Sequence, residues 1–248
     1  MDAGPRMRSA YIIGNGPSRL EVDLTELRKE GTIFGCNALY RDFTPDYLLS
    51  GDAGVIKEIC STDYPKNNKC IFPDWNPIPV EYEQALLEEF RHGKYEIYNS
   101  NLDNLPYVQI FGNEYEGSKQ VHVVGCDITW QIESMSGPFG DAEFSVNFFA
   151  GSNALAHACY KGFDEIHLLG FDSVWNFVED TYQNIYAGTD NYGRKKETSR
   201  LRVGTDDPNS MAGTQEAQIK KVLDRFKECE YYIYKGRNKS LLTYDSFT

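Results

Sequence analysis

Tyr11-Ile12-Ile13-Gly14-Asn15-Gly16-Pro17-Ser18 is the stretch whose reading decides the fold. Three apolar residues of high β-propensity run into a glycine-rich string, and Leu20, Val22, Leu24 and Leu27 follow at helical spacing. This is the pattern of a strand, a tight turn and a helical segment. Gly14 and Gly16 let the backbone turn sharply and approach another group closely. Pro17 stiffens the turn, and Ser18 can cap the next element and offer a hydroxyl. Free N–H groups at such a helix start can hold an anion. A plain strand-to-helix turn would look the same. No Gly-Lys-Ser/Thr follows, so the string is not a phosphate-binding P-loop, and the full dinucleotide fingerprint is missing too.

Outward from this string, short β-rich runs alternate with helical patterns. The candidate strands are Ala10–Ile13, Thr32–Gly35, Tyr47–Ser50, Lys69–Phe72, Tyr95–Tyr98, Val121–Val124, Glu165–Leu169 and Tyr231–Tyr234. Candidate helices span 19–30, 53–62, 80–92, 151–161 and 213–228. Ala154, Leu155, Ala158 and Cys159 form one apolar face before the stop signal Gly162. Ala217, Ile219, Val222, Leu223 and Phe226 carry a rhythm of 3.6. The alternation predicts an α/β, Rossmann-like fold, with a mostly parallel sheet flanked by helices. Residues 1–248 are expected to form a single domain, flexible over 1–8. The stretch 173–212 is polar and aperiodic, and reads as a lid-like insertion. Gly112-Asn113-Glu114-Tyr115-Glu116-Gly117 reads as an exposed turn, and Trp75 as a loop anchor.

Three further strings fall at the ends of predicted elements. Asn37, after Phe34-Gly35-Cys36, would stand at the carboxyl edge of the sheet, where open α/β folds bind ligands; its amide can donate and accept. It is equally a common turn residue. Pro45-Asp46-Tyr47-Leu48-Leu49-Ser50-Gly51-Asp52 is a strand ending in Ser-Gly-Asp. Asp52 can bind ribose, coordinate a metal, act as a base, or simply cap the helix after it. Gly151 and Ser152 open the Ala-rich helix with small residues that allow close approach. The strand after it ends in Gly170-Phe171-Asp172, so Asp172 is a stronger site candidate than Asp164.

The chain has 248 residues and a formal charge of −12. That charge argues against bulk nucleic-acid or anionic-membrane binding. Arg194, Lys195, Lys196, Arg200 and Arg202 against Glu197 make one local window of +4, a solvated loop or a closing clamp for a phosphate-bearing ligand. No apolar run approaches the ~20 residues of a membrane helix, and no signal peptide is apparent, so a cytoplasmic protein is expected. The six cysteines show no C-x-x-C pair and read as reduced, mostly buried thiols. His157 and His167 fall in a helix and a strand, where structural roles are expected.

Taken in order, Gly14–Ser18, Cys36-Asn37 and the block Gly151–Asp172 resemble the bacterial sialyltransferases that use CMP-activated sialic acid. The Pro45–Asp52 segment is more similar to a sister group of motility accessory factors and 6-hydroxymethylpterin diphosphokinase-like proteins. The resemblance covers roughly 9–53 and 145–190. It implies that Asn15, Gly16 and Ser18 hold the nucleotide's phosphate and ribose and that Asn37 touches the nucleotide. It further implies that Gly170 and Asp172 lie along the nucleotide, with Tyr182 and Tyr186 available to the phosphate. Val174 stands where that family places a tyrosine, and no histidine follows His167, where the family carries its base. Asp52 and Asp172 are then the first candidate bases.

The expected function is nucleotide-sugar-dependent glycosyl transfer, sialyltransferase-like, on a CMP-sugar or similar donor with an unidentified acceptor. No resident cofactor and no metal site are expected under it. Two alternatives are a Mg²⁺-dependent diphosphokinase acting on a small alcohol, and a non-catalytic nucleotide-binding accessory protein, such as one encoded by a phage.

Overall fold

In Ser9–Ile13 every residue after the first is buried. A strand apolar on both faces must lie inside a sheet covered on both sides, and that is its place. A computed structural model describes residues 8–73, 75–100, 102–115, 118–135, 149–172, 184–192 and 211–247. The strands along the chain are β1 (Ser9–Ile13), β2 (Thr32–Cys36), β3 (Tyr47–Leu49), β4 (Cys70–Phe72), β5 (Ile78–Pro79) and β6 (Tyr95–Ser100). They continue as β7 (Tyr107–Tyr115), β8 (Ser118–Cys126), β9 (Ile132–Ser134), β10 (Glu165–Leu169), β11 (Glu230–Lys235) and β12 (Asn238–Leu241). The helices are α1 (Leu24–Glu30), α2 (Ala53–Cys60), α3 (Tyr64–Asn67), α4 (Glu83–Arg91), α5 (Ala150–Tyr160) and α6 (Met211–Arg225). Among the described residues no helix is long and apolar enough to cross a membrane.

The chain forms two compact units, Met1–Leu49 with Asn147–Thr248, and Ser50–Val146. In the first, the strands run in the order β12-β11-β10-β1-β2-β3. All neighbours are parallel except the edge pair β11–β12. Ile12 stands opposite Phe34 on one side and Leu168 on the other. Side chains alternate in a strand, so the two faces of β1 meet different partners. Tyr11 and Ile13 join Ile33, Leu39, Leu169 and Leu27 of α1 on one face. α5 packs against β1, β2, β3 and β10, and α6 packs on α5. Small side chains let α5 lie flat: Ala150 to Cys159 are all buried. This is an α/β, Rossmann-like arrangement with a mostly parallel sheet flanked by helices.

The second unit has its own sheet, ordered β5-β7-β8-β6, and a parallel pair β4–β9. Val108, Val121, Val123 and Leu87 of α4 form a core on one face of that sheet, while α2 packs against β7 and β8. Trp75 is buried between Phe72 and Phe111.

Two sequence readings are corrected. Gly112 to Tyr115 are not a turn: they continue β7, paired antiparallel with β8 from Tyr107↔Cys126 to Tyr115↔Ser118. Pairing with the partner strand, and not local sequence, holds them extended. The helix expected over 19–30 is broken. A 3₁₀ turn, Pro17–Glu21, comes first, and Asp23 then caps a separate α1 by accepting from Thr25 N at 2.8 Å.

His167 sits in the middle of the sheet between two aromatic rings, Tyr11 at 4.5 Å and Tyr232 at 5.2 Å. Burial first, and the Lys239 ammonium second, lower its pKa to about 4 against the pull of Glu165. The fold therefore favours neutral imidazole. Its contribution is complete above the unfolded value near 6.5 and is lost as pH falls from there toward 4. Glu165 is also held below its ordinary value, so its own contribution is lost only at lower pH. Denaturant unfolding should lose about 2–3 kcal/mol between pH 7 and 4.5 through this group. His167→Phe, which keeps a ring in the stack, should flatten that slope; an unchanged slope excludes the assignment.

Candidate functional site

The chain order β1-β2-β3 proceeds to one side of β1, while β10 and β11 lie on the other. The change of direction at β1 is where open α/β sheets gather ligands at the strands' carboxyl ends. The loops after β1 and β10 meet there back to back. Gly14 N donates to Leu169 O at 2.8 Å and Gly16 N to Gly170 O at 2.8 Å. A Cβ on Gly14 would fall 2.5 Å from Gly170 O, and one on Gly170 2.7 Å from Gly14 O. Gly170 also takes a φ of 70°, in the left-handed region. The glycines of the first loop thus serve its close approach to the second loop.

Asp172 completes the junction. It is 4% exposed, and its carboxylate accepts from Ser18 N at 3.2 Å and Ser18 Oγ at 2.7 Å. The anion expected at this turn is supplied, at Ser18, by the protein's own side chain. A Cβ on Gly16 would lie 2.0 Å from Asp172 Oδ2, so this glycine makes room for the carboxylate.

Beside the junction, toward β2, two amides face the same sheet edge. Asn15 Nδ2 donates to Cys36 O at 3.2 Å, and its backbone carbonyl accepts from Ile185 N at 2.9 Å. Asn37 takes a φ of 51°, which Asn tolerates better than most residues. The side-chain oxygens Asn15 Oδ1 and Asn37 Oδ1 are both buried with no hydrogen-bond partner among the described residues. Ser152 Oγ, in the first turn of α5, is in the same condition. Each such atom costs about 1–3 kcal/mol unless something pairs with it. Gly151 lies against the Phe171 ring, where a Cβ would come within 3.0 Å. The crossover from α5 to β10 places both residues at the carboxyl end of the sheet.

Arg19 had no part in the sequence reading. It is 3% exposed, and its Nη2 bonds Asp42 Oδ2 and the Tyr186 hydroxyl, each at 2.8 Å. Tyr186 donates to Asp42 Oδ1 at 2.6 Å, and burial with this bond pushes its hydroxyl pKa up. Arg41 holds Thr189 Oγ1 and Asp190 O, and the Tyr192 hydroxyl accepts from Ala38 N. Residues 184–192 are therefore docked on the first two loops, and Tyr186 and Tyr192 pack them down. The Tyr186 hydroxyl is already engaged. Tyr182, Val174 and the basic window 194–202 lie outside the described residues.

Asp52 belongs to the second unit. It is exposed and caps α2 by accepting from Val55 N at 3.1 Å. Its charge reaches His122, which the sequence reading left without a role. Burial, then Lys57, lower the His122 pKa, and Asp52 opposes them. His122 lies in a cross-strand row with Tyr98 and Phe111, stacked on Tyr98 at 5.3 Å. Its Nδ1 is buried with no partner among the described residues. Strand register alone assembles this row, so no local motif announces it.

No family model matches the sequence, and no curated protein matches it. Among solved structures the chain is similar to the sialyltransferase CST-II, crystallised as an Asn-to-Ala variant in complex with CMP. The identity is 13% and the TM-score 0.42, over 91% of this chain and 81% of that one. Among the described residues, no group of three or more His, Cys, Asp or Glu could hold a metal ion.

The loop junction is testable by stability. Gly14→Ala meets backbone on the far side and should cost about 3 kcal/mol in denaturant unfolding. Gly188→Ala has a φ of 86° but open space around its Cβ, and should cost about 1–2 kcal/mol of left-handed strain. Equal losses at the two sites would contradict the close approach of the loops.

Proposed function

We propose that the carboxyl edge of β1, β2 and β10 binds a nucleotide, and that the chain is a nucleotide-sugar-dependent glycosyltransferase. One observation carries the reading. Among the described residues, the buried amide oxygens Asn15 Oδ1 and Asn37 Oδ1 lack partners at neighbouring strand ends, beside the point where the strand order reverses. Such acceptors suit the donors of a nucleotide, an exocyclic amine or a ribose hydroxyl. Ser152 Oγ and the start of α5 add a hydroxyl and free N–H groups for a phosphate. Gly16 and Gly170 bring the two loops together, and Ser18 is tied to Asp172. The sequence resemblance described above selects CMP-sugars within this class.

The reaction is a displacement at the sugar's anomeric carbon, in which the departing nucleotide phosphate is stabilised by groups of the sheet edge. Asp172, bonded to Ser18, is the positioning residue of the first loop. A carboxylate takes the acceptor's proton. Tyr182 remains a candidate phosphate partner from the sequence resemblance; Tyr186 acts by holding 184–192 in place.

A thermal-shift series with CMP, CDP, UMP, UDP, GDP and ATP, each with and without Mg²⁺, tests binding. A nucleotide at 100 times its Kd should raise Tm by about 5–10 °C. A cytidine nucleotide should do so without Mg²⁺, and Asn15→Ala and Asn37→Ala should each remove most of the shift. If no nucleotide shifts Tm, or both variants respond like the parent, the site is elsewhere. A shift by ATP alone that requires Mg²⁺ would point to phosphoryl chemistry.

Catalysis is tested separately. Asp172→Asn, which loosens the first loop, should lower the turnover of a CMP-sugar about 10²-fold. Full turnover in this variant would remove Asp172 from the mechanism.

A further inference from the structure

The second unit carries an aromatic row that the nucleotide reading does not use. Tyr98 of β6 and Phe111 of β7 both stand opposite His122 of β8, on the face of the sheet turned away from Val121 and Val123. The rings follow one another across the strands. Tyr98 stacks on His122 at 5.3 Å with 18° between the planes, Phe111 lies 6.3 Å from His122, and Trp75 lies 6.5 Å from Phe111. The inner rings are covered: His122 and Trp75 are each 8% exposed. His122 Nδ1 is buried with no partner among the described residues. The outermost ring, Tyr98, is 37% exposed.

β6 is the last strand of its sheet, so the row ends at Tyr98. One face of this ring lies on His122, and among the described residues no further strand follows to cover the other. The ring is held in place all the same. Its hydroxyl donates to Glu96 Oε2 at 2.5 Å, and Lys57 Nζ, reaching over from α2, stands 5.8 Å from its centroid. Charged side chains alone protect an edge strand. A half-exposed ring fixed between a carboxylate and an ammonium is a preorganised surface.

We propose that Tyr98, Lys57 and Glu96 form a binding site for a neutral saccharide on the second unit. A pyranose has an apolar C–H face and a rim of hydroxyls. Its C–H face stacks on Tyr98 and continues the row by one more plane. One rim hydroxyl accepts from Lys57 Nζ, and another donates to Glu96. The two charges oppose each other beside the ring, so the site favours a ligand without net charge. Glu96 and a chain of net charge −12 repel a phosphodiester, which argues against a nucleic-acid strand on the same rings. A hydroxyl both donates and accepts, so the ligand can also pair with His122 Nδ1 in either tautomer once Tyr98 tilts. The site is built within the second unit and does not depend on nucleotide binding by the first.

The full-length chain is titrated with maltose, lactose and cellobiose and followed by saturation-transfer difference NMR. At least one disaccharide should bind with a Kd on the order of 1–10 mM, and the C–H protons of one ring face should saturate most strongly. Tyr98→Ala should abolish the signal, Tyr98→Phe should keep it within about threefold, and Lys57→Gln and Glu96→Gln should each weaken binding about 2–10-fold. Tyr98 is exposed, so Tyr98→Ala should melt close to the parent, and its response to CMP should equal the parent's. The proposal is overturned if no disaccharide binds at about 50 mM, if Tyr98→Ala binds like the parent, or if Tyr98→Phe loses as much as Tyr98→Ala. It is also overturned if Tyr98→Ala loses a thermal shift with CMP that the parent shows, since the row would then serve the nucleotide. Saccharide binding by a parent that shows no shift with any nucleotide would sink the nucleotide reading and leave this site standing.

Discussion

Everything at the sheet's carboxyl edge depends on two backbones passing within touching distance. The loops after β1 and β10 can cross only where neither carries a side chain, at Gly14 and Gly170. Once they do, two short backbone hydrogen bonds and the Asp172–Ser18 contact hold the crossing. The amides of Asn15 and Asn37 are aimed by this frame. Asn15 is fixed by its bond to Cys36 O, which brings it beside the residue preceding Asn37. The same frame receives residues 184–192 through Ile185 N and Asn15 O. A buried arginine, Arg19, then fastens that segment from below through Tyr186 and Asp42. Removing a glycine would therefore disturb ligand groups it never touches.

Much of the scaffold was legible in the chain. The buried parallel strands announce themselves as apolar runs, since both faces are covered, and α5 as an alanine-rich stretch ended by Gly162. β7 was harder to see through Gly112 and Asn113, which read as turn residues although their partners across β8 hold them extended. β12 has no buried residue at all, so hydrophobic patterning could not reveal it. The short pieces β5 and β9 are set by pairing with distant strands, a tertiary effect.

The site was legible in position but less so in detail. Gly-rich and Asn-bearing strings at strand ends mark the right edge of the sheet. What the strings cannot say is which groups satisfy one another. Ser18 looked free and is held by Asp172; Tyr186 looked available and is engaged by Asp42 and Arg19. His122 between two valines looked like a packed strand residue. Only register sets it beside Tyr98 and Phe111, and only α2's placement brings the charges of Asp52 and Lys57 to bear on it.

The pairing of β1 with β10 also has a meaning for biosynthesis. These neighbours are separated by the whole of the second unit, because residues 50–146 are spliced between β3 and the crossover helix α5. A ribosome releases β1, β2 and β3 first, and they wait with one flank of β1 bare until residue 165 has emerged. The intervening unit, with its local antiparallel β7–β8 pair, can assemble during that interval. The nascent chain must therefore keep a sticky, half-built sheet out of trouble for over a hundred residues of translation. Chaperone demand should be concentrated in that window.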